Sequence, residues 1–315
     1  MAALAGCAAA PRAPATSLAE AGIKATGSMA TEVRRMETEL GSLAVGNAFT
    51  ATLGQCANPR LTCKEIVEPA EVASERRQLA KTVAMRARAL DALGAAYTAL
   101  QTEAGYDQGA DLSGAATDAV KAANDFAAEA AKLGGGAAPS AIPGAVGSLA
   151  DFGFGLLGEH LQRKRILAAS RQIAEATLLI RNGMIAEAAS FASLNKYLVG
   201  ERVATRMALM RVGSLSRDAV LKQISDQLNM DLSPPSNATP EAYQMALQAS
   251  MRALAEQEVV QVNERYQAAI AALGALLQSH AELEKGKALS IANVERVLTR
   301  LDAALEETSP APMGQ

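Results

Sequence analysis

The sequence predicts an all-α protein: an elongated antiparallel bundle of about five to seven helices, with coiled-coil-like packing and a small-residue core. Three observations carry this. Strong helix formers, Ala above all, dominate the composition, while aromatics are 3% and Trp is absent. Apolar residues recur at steps of three and four over long stretches, and no run of alternating β-branched residues reads as a strand. Gly and Pro fall in a few places, where they punctuate helices rather than interrupt them evenly.

Residues 1–16 read as a signal remnant and tether, because Ala-Ala-Ala-Pro-Arg-Ala-Pro-Ala-Thr has no hydrophobic periodicity. Ser17 is placed to cap a first helix toward about Leu43, with Ile23, Val33, Met36, Leu40 and Leu43 as its apolar positions. Gly41 to Glu68, with Gly46, Gly54 and two cysteines, reads as the turn of an antiparallel helix pair. Pro69 suits the first turn of the second helix. There Val72, Leu79, Val83, Leu90, Leu93, Tyr97 and Leu100 follow at near-heptad spacing, Arg86 or Ala87 filling the gap. Gly105 ends it. Asp111 caps a third helix to about Leu133, and the N-terminal helices therefore cover 17–133.

Residues 134–158 form an apolar Gly/Pro-rich linker and helix start, in which Asp151 is the only charge between Lys132 and Glu159. Pro139 and Pro143 divide it, and the part from Gly144 to Gly158 falls short of the ~20 apolar residues of a membrane span. It reads as a glycine-packed hinge joining two helical halves, with Phe152, Phe154, Leu156 and Leu157 as its membrane-active residues in the alternative of an inserting hairpin.

The C-terminal helices cover 159–307. From Glu159 one apolar face runs in phase through Ile173, Thr177, Ile180, Met184, Ala188, Phe191, Leu194 and Leu198, passing Asn182-Gly183 on the way to Arg211. Unbroken, this helix spans roughly 80 Å. Gly213 ends it, and Ser214 or Ser216 caps a short helix through Leu228. Thr239-Pro240-Glu241 is a start signal: cap, first-turn proline, then an acid at the positive end of the helix. Leu247, Met251, Leu254, Val262, Tyr266, Ile270, Leu273 and Leu277 give that helix one broad face until Gly286. Ser290 caps a last helix carrying Val294, Val297, Leu298, Leu301 and Leu305, and residues 308–315 read as a disordered tail.

The net charge is −3, with 30 basic and 33 acidic residues interspersed, so there is no basic face for nucleic acid. Arg34-Arg35, Arg76-Arg77 and Arg163-Lys164-Arg165 read as solvated helix faces. No catalytic, cofactor-binding or metal-binding constellation is expected. Ser193 and Lys196 match S-x-x-K but lie in mid-helix, and no Lys-Thr-Gly triplet accompanies them. His280-Ala-Glu282 lacks the downstream cysteine pair of a zinc deaminase, and His280 reads as a partly buried structural histidine. His160 reads as a polar residue flanking the apolar segment.

Cys56 and Cys63 bracket Ala-Asn-Pro-Arg-Leu-Thr. Asn58-Pro59 starts a turn that lets the ends of this loop meet, so a local disulfide is expected in an oxidising compartment.

Leu4-Ala5-Gly6-Cys7 resembles the lipobox of bacterial lipoproteins. The resemblance implies cleavage before Cys7 and diacylation of its thiol. Only six residues, none basic, precede Cys7, so the expectation is a signal peptide truncated at its front. Ala8, where that family's inner-membrane proteins carry Asp, implies the outer membrane.

The reading that follows is a non-enzymatic envelope lipoprotein: a helical scaffold or interaction module on the periplasmic side. Its expected partners are the membrane, through a lipid anchor, and an envelope protein or a second copy, through helix faces. The alternatives are a membrane-inserting, pore-forming-like protein using 134–158 as a hairpin, and an uncharacterised enzyme.

Overall fold

The computed structural model describes residues 12–57, 62–105, 111–134 and 158–286, with positions 295, 296, 299 and 303. The protein is all-α. Six helices, α1 (Arg12–Cys56), α2 (Ala70–Ala104), α3 (Leu112–Gly134), α4 (Gly158–Arg211), α5 (Arg217–Leu228) and α6 (Pro240–Glu284), account for most of these residues, and no strand occurs among them. Of the last expected helix only those four positions are described, all helical. The tail lies outside the described residues.

The first helix is longer at both ends than its sequence suggests. Ala15 is fully buried, as are Leu18 and Ala19 just after it, so residues 12–16 of the expected tether belong to a helix that packs into a core. Arg12 anchors that start by donating from Nε to Gln162 Oε1 at 3.1 Å. At the other end, α1 continues through Gly41, Gly46 and Gly54 to Cys56. Each interior glycine costs about 1 kcal/mol relative to Ala, which weakens a helix without stopping it. The expected turn of 41–68 thus shrinks to the residues between Cys56 and Ala70.

The remaining caps fall where the residue chemistry puts them. Asp111 Oδ1 accepts from the Gly114 amide at 2.8 Å, and Thr239 Oγ1 from the Ala242 amide at 3.2 Å. Ser216 accepts from the Asp218 amide to cap α5, whose far end closes on Asn229 in the left-handed region at φ 50°. Gly213, at φ 76°, ends α4. α4 runs unbroken for 54 residues, straight through Asn182-Gly183. Gly183 is there for packing: a Cβ on it would lie 2.8 Å from Phe126 Cε1.

The chain forms two compact units. Unit 1 comprises 1–34, 81–189 and 265–315, and unit 2 comprises 35–80 and 190–264. Each unit draws on helices from both sides of the central stretch, and α1, α2, α4 and α6 contribute to both.

Unit 1 has the small-residue core that an Ala-rich composition implies. Ala25, Ala89, Ala96, Ala116, Ala123, Ala169 and Ala272 are fully buried beside Leu90, Leu93, Phe126, Ile173, Ile180 and Leu273. Small side chains let helix backbones approach closely, as where a Cβ on Gly94 would lie 3.0 Å from Thr26 Oγ1. Unit 2 has a separate apolar core of Val203, Met210, Val220, Ile224, Leu247 and Met251, which α5 helps to close.

Candidate functional site

The two expected cysteines meet. Cys56 ends α1, and Cys63 lies in the extended stretch leading to α2; their sulfurs are bonded, with Cα atoms 4.3 Å apart. The strap around Cys63, from Thr62 onward, is tied back to α1 by two hydrogen bonds. Gln55 Nε2 donates to the Thr62 carbonyl at 2.9 Å, and the Ile66 amide donates to Thr52 Oγ1 at 3.1 Å. Glu68 then accepts from Arg76 Nε and Nη2 at 3.2 and 2.7 Å.

Cys7, Phe152, Phe154, Leu156 and Leu157 lie outside the described residues, as does the side chain of His160. Ser193 and Lys196 are both on the exposed side of α4. No described helix is long and apolar enough to cross a membrane, and no group of three His, Cys, Asp or Glu poised for a metal occurs among the described residues.

Unit 1 carries several polar groups in its interior. His280 is buried completely, at 1% exposure, rather than partly as its place beside the apolar face of α6 suggests. Its Nδ1 lies 2.8 Å from Ser170 Oγ on α4, and its Nε2 lies 2.9 Å from the Tyr97 hydroxyl on α2. Thr177, one further polar residue of α4, gives its hydroxyl proton to the Ile173 carbonyl at 2.7 Å and approaches the Tyr97 hydroxyl at 3.4 Å. Burial pushes the His280 imidazole down to about 3, and pushes the Tyr97 phenol up. The ring is therefore neutral at neutral pH, with one nitrogen donating and the other accepting.

A second buried group lies between α2, α4 and α6. The Arg86 guanidinium pairs with the Glu187 carboxylate, with side chains 4% and 2% exposed. The Tyr266 hydroxyl donates to the Met184 carbonyl at 2.8 Å and approaches Glu187 Oε1 at 3.0 Å. The rings of Phe126 and Tyr266 flank the guanidinium, with centroids 5.8 and 5.4 Å away. Burial raises the Glu187 carboxyl above its usual range, against the opposing pull of Arg86 and of the Tyr266 hydrogen bond. A third group joins Glu103 to α4: its carbonyl accepts from Gln162 Nε2 at 2.6 Å and its carboxylate from Arg165 Nη2 at 2.9 Å.

Ser170, His280 and Tyr97 place a hydroxyl beside an imidazole, the first requirement of an activated nucleophile. Their burial decides against that use in this conformation. Ser170, Tyr97 and Thr177 are 0% exposed, and the third member is a phenol rather than a carboxylate that would support an imidazolium. What the chain of hydroxyls and imidazole does is fix the axial register of α2, α4 and α6, since a slip of one turn would strand several buried polar atoms.

The polar residues that the apolar stripes hid have one signal in common. Thr177 occupies an apolar position of the α4 face, Ser170 precedes Ile173 by three residues, and Glu187 follows Met184 by three. A polar residue in phase with an apolar stripe is a candidate for a buried network, although its partner on another helix is not written in the spacing.

Comparison with protein-family models, curated proteins and solved structures finds no match for this chain.

Proposed function

We propose that the chain is an exported, non-enzymatic helical scaffold of the bacterial cell envelope, held to the outer membrane by a lipid on Cys7 and presenting helix faces to an envelope protein or to a second copy. The observation that carries this reading is the Cys56–Cys63 bond at the α1 end. A local disulfide with an exposed half-cystine persists in oxidising compartments and is reduced in a bacterial cytosol. Export in turn gives the lipobox-like Leu4-Ala5-Gly6-Cys7 a context in which it is used. Support for a scaffold comes from unit 1, where Tyr97, Ser170, Thr177 and His280, and beside them Arg86 and Glu187, are buried in the core and bind one another.

The test is metabolic labelling of bacteria expressing the protein from its own gene. Radiolabelled palmitate is expected in the wild-type chain and not in Cys7→Ala, with the wild type in the outer-membrane fraction. Absence of label in the wild type overturns the tether. In the same cells, Cys56 and Cys63 are expected to resist alkylation until a reductant is added. Free thiols there overturn the assignment to an oxidising compartment.

A further inference from the structure

We propose that the Cys56–Cys63 disulfide is a site of thiol–disulfide exchange with a dithiol, and that its reduction releases the strap and the adjoining helix ends of unit 2 while unit 1 stays folded. The proposal stands apart from lipid attachment at Cys7 and adds to the scaffold a part that can be switched.

The packing around the bond is the first argument. Leu40 of α1 is 2% exposed, and the next buried side chain among the described residues is Thr82 of α2, also 2% exposed. Between them, residues 41–57 and 62–81 bury no side chain completely. The strap itself is exposed from Thr62 to Val67, with Val67 at 76%. Segments with few buried contacts and solvent-facing hydrogen bonds open at low free energy. What holds the strap is the disulfide, the two hydrogen bonds to Thr52 and Gln55, and the half-exposed Glu68–Arg76 pair.

Access is the second argument. Cys63 is exposed and Cys56 partly so, so an external thiolate reaches Cys63 Sγ without opening a core. Attack there forms a mixed disulfide and breaks the Sγ–Sγ bond. Cys56 leaves as a thiolate and takes up a proton. The second thiol of the attacking dithiol then displaces Cys63, which is also protonated. Two electrons and two protons pass to the cysteines, and the dithiol ends as a disulfide. With the covalent tie gone, the two hydrogen bonds and the Glu68–Arg76 ion pair remain between the described strap residues and the helix ends.

The experiment uses the full-length oxidised protein without denaturant. After incubation with dithiothreitol at pH 8, iodoacetamide is expected to label both Cys56 and Cys63, as located by peptide mapping. Limited trypsin digestion is then expected to cut after Lys64, Arg76 and Arg77 about tenfold faster than in the oxidised protein, with cleavage after Lys121 of unit 1 changed by less than about twofold. The doubly substituted Cys56→Ser/Cys63→Ser protein is expected to match the reduced wild type. A bond reduced only in denaturant, unchanged cleavage at the three sites, or an equal rise at Lys121 would each overturn the proposal.

Discussion

Gly22 of α1 lies against the ring of Tyr97 of α2. A Cβ built on Gly22 would fall 2.3 Å from Tyr97 Cδ1 and 2.4 Å from Cγ. No side chain fits there unless the fully buried ring moves, and the ring is held through its hydroxyl beside His280 and Thr177. This glycine weakens its helix locally and lets two backbones approach over a flat aromatic face.

Gly22→Ala is therefore expected to destabilise the protein by about 1–3 kcal/mol, the cost of overpacking, despite the better helix propensity of Ala. Gly27, five residues along the same helix, is open: a Cβ added there would meet no atom within 4 Å. Gly27→Ala is expected to stabilise by up to about 1 kcal/mol. Urea unfolding of the two variants and wild type measures both. Equal effects would show that the close approach to Tyr97 has no energetic weight.

The Arg86–Glu187 pair sets up a contrast between breaking and replacing. Glu187→Ala leaves a guanidinium in the core and is expected to cost about 3–5 kcal/mol. Replacing both partners, Arg86→Met with Glu187→Leu, removes two desolvated charges together and is expected to cost much less than the single change. It leaves the Tyr266 hydroxyl with the Met184 carbonyl as acceptor at 2.8 Å. Thermal unfolding of wild type, both single variants and the double variant closes the cycle. A double variant worse than either single one would mean that packing against Phe126 and Tyr266, rather than charge, carries the site.

How far these elements were legible in the sequence depends on what each one needs. The caps at Asp111 and Thr239 and the stop at Gly213 were legible, and that of α5 was narrowed to Ser214 or Ser216, because capping is local: the side chain and the amide that donates to it lie within three residues. The course of α4 was legible because its apolar phase survives Asn182-Gly183. The extent of α1 was not. Its glycines read as breaks, and Arg12 reads as tether until Gln162, 150 residues away, is seen beside it. The cysteine pair was legible because only six residues separate its members; the expected turn at Asn58-Pro59 lies outside the described residues. The His280 group was not, because Tyr97, Ser170 and His280 come from three helices whose mutual register no local spacing encodes. The division into two units was hidden for the same reason: it cuts across α1, α2, α4 and α6 and follows packing rather than loops.

His280 yields a pH dependence with a definite sign. Burial lowers its folded-state pKa from 6.5 to about 3. On acidification the unfolded chain takes up this proton first, near 6.5, while the folded chain resists until about pH 3. The contribution of a neutral His280 is thus fully present above the unfolded pKa. It declines as pH falls from 6.5 toward 3, by about 1.4 kcal/mol per pH unit. His280→Gln keeps a hydrogen-bonding side chain between Ser170 and Tyr97 and removes the titration. Its stability relative to wild type is expected to be lowest at pH 7 and to improve steadily toward pH 4. Chemical denaturation at half-unit pH steps gives the difference curve, in which the carboxylates common to both proteins cancel. A flat difference between pH 7 and pH 4 would mean that the imidazole is reached by solvent, and that the Ser170–His280–Tyr97 chain is not the sealed register lock of α2, α4 and α6.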